Sequence, residues 1–236
     1  MKPKFEIPHC DTCISRVQSI FDDLASDDLA KLSLHKGCNF HNAGQILFHQ
    51  GDFPAGLYCL NKGKIKLFKT GESGREQIVR LAKDGDVVGY RALISGEAYA
   101  ATAETLEDTT ICFIPKESFF RLLKESSSFN VRVLELLCHD IAESEKRQLS
   151  LGQKQVKERL AETLLMLKEF YGFEEDNMTL KGVLTREDIA NITGTATETV
   201  IRLLSEFKKK QIIDLEGKKI KILNPQSLLR IARIYD

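Results

Sequence analysis

The chain has 236 residues, 42% of them hydrophobic, and its 34 Lys+Arg balance 34 Asp+Glu to a formal net charge of zero. That is ordinary globular composition, long enough for two domains with separate cores. No apolar run approaches a membrane span and the opening M-K-P-K-F-E-I-P-H-C-D has no apolar signal-peptide core, so a cytoplasmic protein without a membrane partner is expected. The six cysteines are irregularly spaced, which in a chain of this size argues against a disulfide scaffold and for reduced thiols or metal ligands.

In chain order, His9-Cys10-x-x-Cys13 comes first, a spacing that lets two thiolates from one turn reach one metal centre. From about Lys36 to Pro115, short β-prone runs (I-L-F, L-Y-C-L, I-K-L-F, Q-I-V-R-L, T-I-C-F-I-P) are punctuated by glycines, the pattern of an antiparallel barrel or sandwich. A barrel mouth is a common small-ligand site, and a β domain is equally a platform for another protein. Cys59, Cys112 and Cys138 sit in apolar runs, where a free cysteine serves as a small buried hydrophobe. Cys38-Asn39-Phe40-His41 holds a thiol and an imidazole, but sequence neighbours are not a catalytic dyad. With no nucleophile elbow or phosphate loop, the chain does not read as an enzyme.

A long helix is expected from near Ser127. Leu134, Leu137, Ile141, Ser144, Gln148 and Leu151 recur at alternating gaps of three and four, the a/d rhythm of a coiled coil, so Leu134, Leu137, Ile141 and Leu151 are the expected homodimer seam. Gly152 is a natural hinge before the next helix, which buries Val156, Leu160, Leu164, Leu167 and Tyr171.

The most informative segment runs from Leu184 to Phe207, two short helical patterns around Gly194 that read as a helix-turn-helix. Thr185 precedes the first pattern, and Thr195 with Glu198 forms a T-x-x-E capping box expected to open the second helix. In that helix Val200, Leu203, Leu204 and Phe207 make a buried stripe, leaving Glu198, Ile201, Arg202 and Ser205 on the opposite face. Arg bonds guanine bidentately and Glu accepts from the cytosine amino group, so Arg202 and Glu198 have the chemistry to read a G·C step. An exposed Glu-Arg pair one turn apart is also a plain surface stabiliser.

After Lys208, Lys209 and Lys210, the run I-I-D-L-E-G-K-K-I-K-I-L predicts a wing of two strands around Glu216-Gly217-Lys218. From Lys181 to Asp236 there are 11 Lys+Arg against 7 Asp+Glu, so zero net charge hides a part at +4 and a remainder at −4. A basic module on an acidic chain is the footprint of phosphate binding.

The order β-roll, long helix, winged helix-turn-helix resembles the Crp/Fnr superfamily of bacterial transcription regulators across nearly the whole chain. G-D-V-V-G-Y-R-A-L-I-S-G at Gly85 to Gly96, T-T-I-C-F-I-P at Thr109 to Pro115 and T-R-E-D-I-A-N-I-T-G-T-A-T-E-T-V-I-R-L-L at Thr185 to Leu204 are similar to the Fnr branch. The resemblance implies base contacts by Glu198 and Arg202 and phosphate contacts by Thr185, Arg186 and Thr199, to which the wing adds Lys218. Thr197 stands where the cyclic-AMP receptor branch has Arg, and Ile201 where the Fnr branch has Ser, so both belong to the base-reading set and only the central G·C reading is inherited. The implied partners are a double-stranded DNA operator, a second copy of the chain and RNA polymerase.

Cyclic-nucleotide binders of this superfamily place a Glu after a Gly for the ribose hydroxyl, and an Arg followed by Ser or Thr for the cyclic phosphate. Here Tyr90 follows Gly89, and Ala100-Ala101 replaces the cation, which leaves a buried phosphate unpaired at a cost of several kcal/mol. Gly89, Tyr90, Arg91, Ala100 and Ala101 thus mark an effector pocket from which cyclic AMP is expected to be absent. Cys10, Cys13 and Cys112 resemble the ligands of the Fnr branch's iron-sulfur cluster. The position of its third N-terminal ligand falls near Ser19, so the set is incomplete unless Cys38 or a histidine substitutes; a redox-sensing dithiol at Cys10 and Cys13 and a merely structural role for these cysteines are the other readings.

The expectation is an α+β chain: a cysteine-bearing segment 1–24, a β-roll 25–125 resembling a cyclic-nucleotide-binding jelly roll, a dimerisation helix 126–153 and a winged helix-turn-helix 154–236. The alternative from another class is a β-roll interaction module whose winged helix binds protein.

Overall fold

Alternation along the β-prone runs builds two four-stranded antiparallel sheets that face each other. In chain order the strands are β1 (Gly37–His41), β2 (Ile46–Phe48), β3 (Gly56–Lys62), β4 (Ile65–Thr70), β5 (Glu76–Ala82), β6 (Val87–Val88), β7 (Thr102–Thr105) and β8 (Thr109–Pro115). One sheet runs β1-β8-β3-β6 and the other β2-β7-β4-β5. The computed structural model describes residues 7–182 and 184–234; segment 1–6, part of the polar opening read as lacking a signal core, lies outside them.

Pairing of β3 with β8 sets Leu57 opposite Ile114, Cys59 opposite Cys112 and Leu60 opposite Ile111. Because side chains alternate, Leu60 and Ile111 join Phe48, Ile65, Val88, Tyr99 and Ala103 between the sheets. Leu57 and Ile114 point the other way, into a second core. That core is covered by Leu29 and Leu32 of α1 (Ser26–His35), Leu93 of α2 (Tyr90–Ser95), Phe119 and Leu122 of α3 (Lys116–Glu125), and Phe129 and Val133 of α4 (Ser127–Gln153).

The chain divides into two compact units, one ending at Ile141 and the other beginning at Ala142, inside α4 rather than at its ends. The cause is local: Phe129 and Val133 are buried against the roll, and Leu136 and Leu137 pack half-buried on the same core. Leu137 is turned to the roll, whereas Val131 (54%), Leu134 (61%) and Ile141 (59%) are exposed on the opposite face, with Cys138 among them. Leu151 is also exposed.

The second unit is built on α5 (Val156–Tyr171), whose Leu160, Leu164, Leu167 and Tyr171 are buried as the periodicity predicts. Around it lie α6 (Arg186–Thr193), α7 (Thr197–Lys209), the hairpin β9 (Ile213–Glu216) with β10 (Lys219–Ile222), and α8 (Pro225–Ala232), which buries Leu228 and Ala232. The expected capping box at Thr195 does not form. Ala196 is the N-cap of α7 and no side chain caps it; the capping box lies one helix earlier, where Thr185 and Asp188 satisfy each other's backbone N–H.

Candidate nucleic-acid interface and thiol cluster

The turn between α6 and α7 is held from below. Gly194 closes α6 in the left-handed region (φ 72°, ψ 51°), where a side chain would be strained, and donates its N–H to Ala190. Arg159 of α5 then donates Nε to the Thr193 carbonyl at 2.9 Å and Nη2 to the Gly194 carbonyl at 3.1 Å. The Thr163 and Thr193 hydroxyls meet at 3.2 Å beside it. Sequence reading missed this strap; an Arg at the end of a predicted buried helix carries no local signal of a partner some thirty residues away.

On α7, Val200, Leu203, Leu204 and Phe207 are buried, and Glu198, Ile201, Arg202 and Ser205 are exposed on the other face. Among the described residues Glu198 and Arg202 form no ion pair, so the i, i+4 stabiliser reading is not realised. Thr197 and Thr199 are half-buried in the first turn. The far end of α7 is fixed by Glu206, which accepts from Lys157 at 2.5 Å and Lys210 at 3.0 Å; these hydrogen bonds hold its carboxyl down to about 2.

The wing is in place, with Glu216 opposite Lys219 and Ile213 opposite Ile222. Lys219 and Lys221 are paired with Glu174 and Glu216, each at 2.8 Å. Lys218, exposed at the turn, has no such pair among the described residues. Arg186 is half-buried and donates to the Gly217 carbonyl at 3.0 Å and the Lys218 carbonyl at 3.4 Å, so its guanidinium braces the wing. Partial desolvation pushes its pKa down.

At the expected effector pocket, Gly89 has φ +89°, and a Cβ there would come within 3.2 Å of the Tyr99 ring. Tyr90 is 1% exposed, Ala101 is buried, and Arg91 and Ala100 are exposed. Phe48 and Tyr99 stack at 3.8 Å between the sheets, with Tyr58 5.4 Å from Phe48, so aromatic rings occupy the roll's interior.

The cysteines depart most from expectation. Cys38 and Cys112, directly opposite across β1 and β8, are joined as a disulfide. Cys59 stands opposite Cys112 on its other flank, in β3. Cys10 is buried with its N–H donated to Ser33 at 3.0 Å, and Cys13 accepts from Asn61 at 3.2 Å. Cys59 is pushed up to about 12, first by burial and then by the neighbouring Cys13 and Cys10. An iron-sulfur cluster takes thiolate ligands, and the Cys112 sulfur is already committed to Cys38. Ser19, at the remaining ligand position, donates its hydroxyl to the Arg16 carbonyl at 2.7 Å and accepts from Phe21 N–H at 3.2 Å. With Cys112 bonded to Cys38, only Cys10 and Cys13 of the set Cys10, Cys13 and Cys112 are free thiols. Cross-strand register brings Cys38 and Cys112 together, a relation invisible without the topology. Cys138, expected buried, is exposed.

Residues 39–126 match the cyclic nucleotide-binding domain family and residues 158–231 the Crp-like helix-turn-helix domain family. The chain is 34% identical over 194 residues to a fumarate and nitrate reduction regulatory protein of Vibrio cholerae, covering 81% of this chain and 76% of that one. It is 30% identical over 192 residues to the transcriptional activator protein Anr of Pseudomonas protegens, covering 80% and 78%. Its fold is shared with a solved regulator of the Crp/Fnr family from Eubacterium rectale at a TM-score of 0.75 and 23% identity, covering 91% and 97%.

Proposed function

Because the chain belongs to the Crp/Fnr family of transcription regulators, we propose that it binds its operator as a homodimer, reading bases with α7 and phosphates with the wing, under control of its thiols. It is a DNA-binding transcription regulator, from a family of regulators and not of enzymes. The observation that carries the finer reading is the unpaired face Glu198, Ile201 and Arg202 on a helix whose entry turn is strapped by Arg159. Arg202 and Glu198 read the central G·C step, Ile201 and Thr197 flank it, and Thr185, Thr199 and Lys218 approach phosphates, with Arg186 setting the wing.

The second copy covers the exposed stripe Val131, Leu134 and Ile141, since operator symmetry mirrors protein symmetry. RNA polymerase is the further partner, on the strength of the relative that is named a transcriptional activator. A regulator of chromosomal genes works in the cytoplasm, where disulfides are usually transient and redox-sensing. The Cys38–Cys112 bond beside Cys59 supports a redox effector over a cyclic nucleotide.

Operator selection from a random duplex pool tests the reading, with reduced and oxidised protein run side by side. A palindromic consensus with a central G·C step, enriched in one redox state, is the expected result. No enrichment in either state leaves the winged helix as a protein-binding module.

A further inference from the structure

Tyr90 does more than fill the position of a missing carboxylate. Its hydroxyl donates to the Asp140 carboxylate and accepts from Arg80 Nη1 at 3.2 Å, while Arg80 Nη1 also reaches Asp140 at 3.3 Å. The Arg80 guanidinium lies 5.9 Å from the Tyr90 ring centroid. Three elements meet here: β5 gives Arg80, the first residue of α2 gives Tyr90, and α4 gives Asp140. Asp140 keeps only 19% of its side chain exposed, so the ion pair is partly desolvated and the three groups are mutually satisfied.

Position on α4 gives this triad its meaning. Phe129, Val133, Leu136 and Leu137 anchor the helix to the roll by apolar contact, and Asp140 continues that face by one turn. It is the polar end of the anchor, one residue before the first unit stops at Ile141. On the opposite face lie Val131, Leu134, Cys138 and Ile141. Apolar contacts tolerate a small rotation of a helix, whereas a hydroxyl-carboxylate-guanidinium arrangement is directional.

We propose that Tyr90 and Arg80 are positioning residues for operator binding: through Asp140 they fix the rotation of α4, and so the face that meets the second copy, without a bound ligand. The inference rests on the dimer reading above. It places the link between roll and dimer helix in side chains that are always present.

The full chain tests it with Tyr90→Phe, which keeps the ring and removes the hydroxyl, with Asp140→Asn, and with the double variant. Loss of one hydrogen bond to a charged group is expected to weaken dimerisation about tenfold by sedimentation equilibrium. Operator affinity should follow, and hydrogen exchange should accelerate at the α4 amides around residues 136–141. The double variant should be little worse than either single one, because all three remove the same interaction. Unchanged dimerisation and α4 exchange in Tyr90→Phe, beside a wild-type dimer, overturn the clamp alone. A lower melting temperature with unchanged dimerisation makes Tyr90 a packing residue and also overturns it. Wild-type protein that stays monomeric at micromolar concentration overturns the clamp together with the dimer reading.

Discussion

Arg186 donates its Nη2 to the carbonyl of Gly217 at 3.0 Å, so the first residue of α6 holds the tip of the wing. A residue expected at a phosphate thereby acquires a second task. Arg186→Ala is predicted to weaken binding to all sequences alike and to be non-additive with Lys218→Ala, because a wing that has lost its brace no longer presents Lys218. Titrations at several salt concentrations check this: Lys218→Ala should lower the salt slope by about one ion. Strict additivity of the two variants would separate brace from contact.

Base reading has a different signature. Arg202→Ala should cost ~1–3 kcal/mol at the selected operator and abolish preference at one G·C pair while leaving random-sequence affinity near wild type. Ile201, 49% exposed, is predicted to sit against a thymine methyl. Repeating the operator selection with Ile201→Ser checks it, and an unaltered consensus would show that Ile201 reads no base.

The dimer stripe is open to a chemical test. Ile141→Glu places a charge on an exposed apolar position of α4 and should yield monomers by sedimentation with operator affinity reduced more than tenfold, since association is coupled to DNA binding. Cys138 offers an independent check. Lying in the same stripe, it should crosslink to its copy with a short bismaleimide in wild type and fail to do so in Ile141→Glu.

For the thiols, alkylation followed by mass spectrometry should label exposed Cys138 first at neutral pH. Cys59, pushed up to about 12 by burial, stays protonated and should react last of the free thiols, because the thiolate is the nucleophile. Cys38 and Cys112 should label only after reduction. The sign of the linkage is also fixed: above the ordinary thiol pKa the unfolded chain loses a proton that folded Cys59 keeps, so the Cys59 contribution to stability declines as pH rises between about 9 and 12. Denaturation of wild type and Cys59→Ala across that range reads it, the variant showing the shallower decline.

Cyclic AMP is predicted not to bind. With Tyr90 engaged by Asp140 and Arg80, and Ala100 in place of a cation, calorimetry should detect nothing up to about millimolar ligand, where binding free energy falls to ~4 kcal/mol. Micromolar affinity would mean that the Tyr90 hydroxyl gives way to the nucleotide.

What the sequence reveals is what periodicity and turn chemistry encode. The stripe of α7, the wing turn at Gly217 and the start of α4 at Ser127 are all legible, because each follows from spacing within one element. The five β-prone runs became strands, while β1, β6 and β7 were passed over as short or polar segments stabilised by their neighbours. The heptad fits Leu137 and Cys138 equally well; that Leu137 packs half-buried on the roll while Cys138 is exposed follows from the roll lying on one side of α4. The strap from Arg159, the brace from Arg186 and the Cys38–Cys112 pair all join residues distant in sequence, and nothing at either end announces the other.

The Arg159 strap has a consequence for how the duplex is met. With the carbonyls of Thr193 and Gly194 satisfied from within the protein, the bend that aims α7 exists in the absence of DNA. Docking then orders side chains at the groove and leaves the backbone of the turn as it was, so little conformational entropy is lost there on binding. The heat-capacity change of complex formation is therefore expected to carry no contribution from folding of this turn.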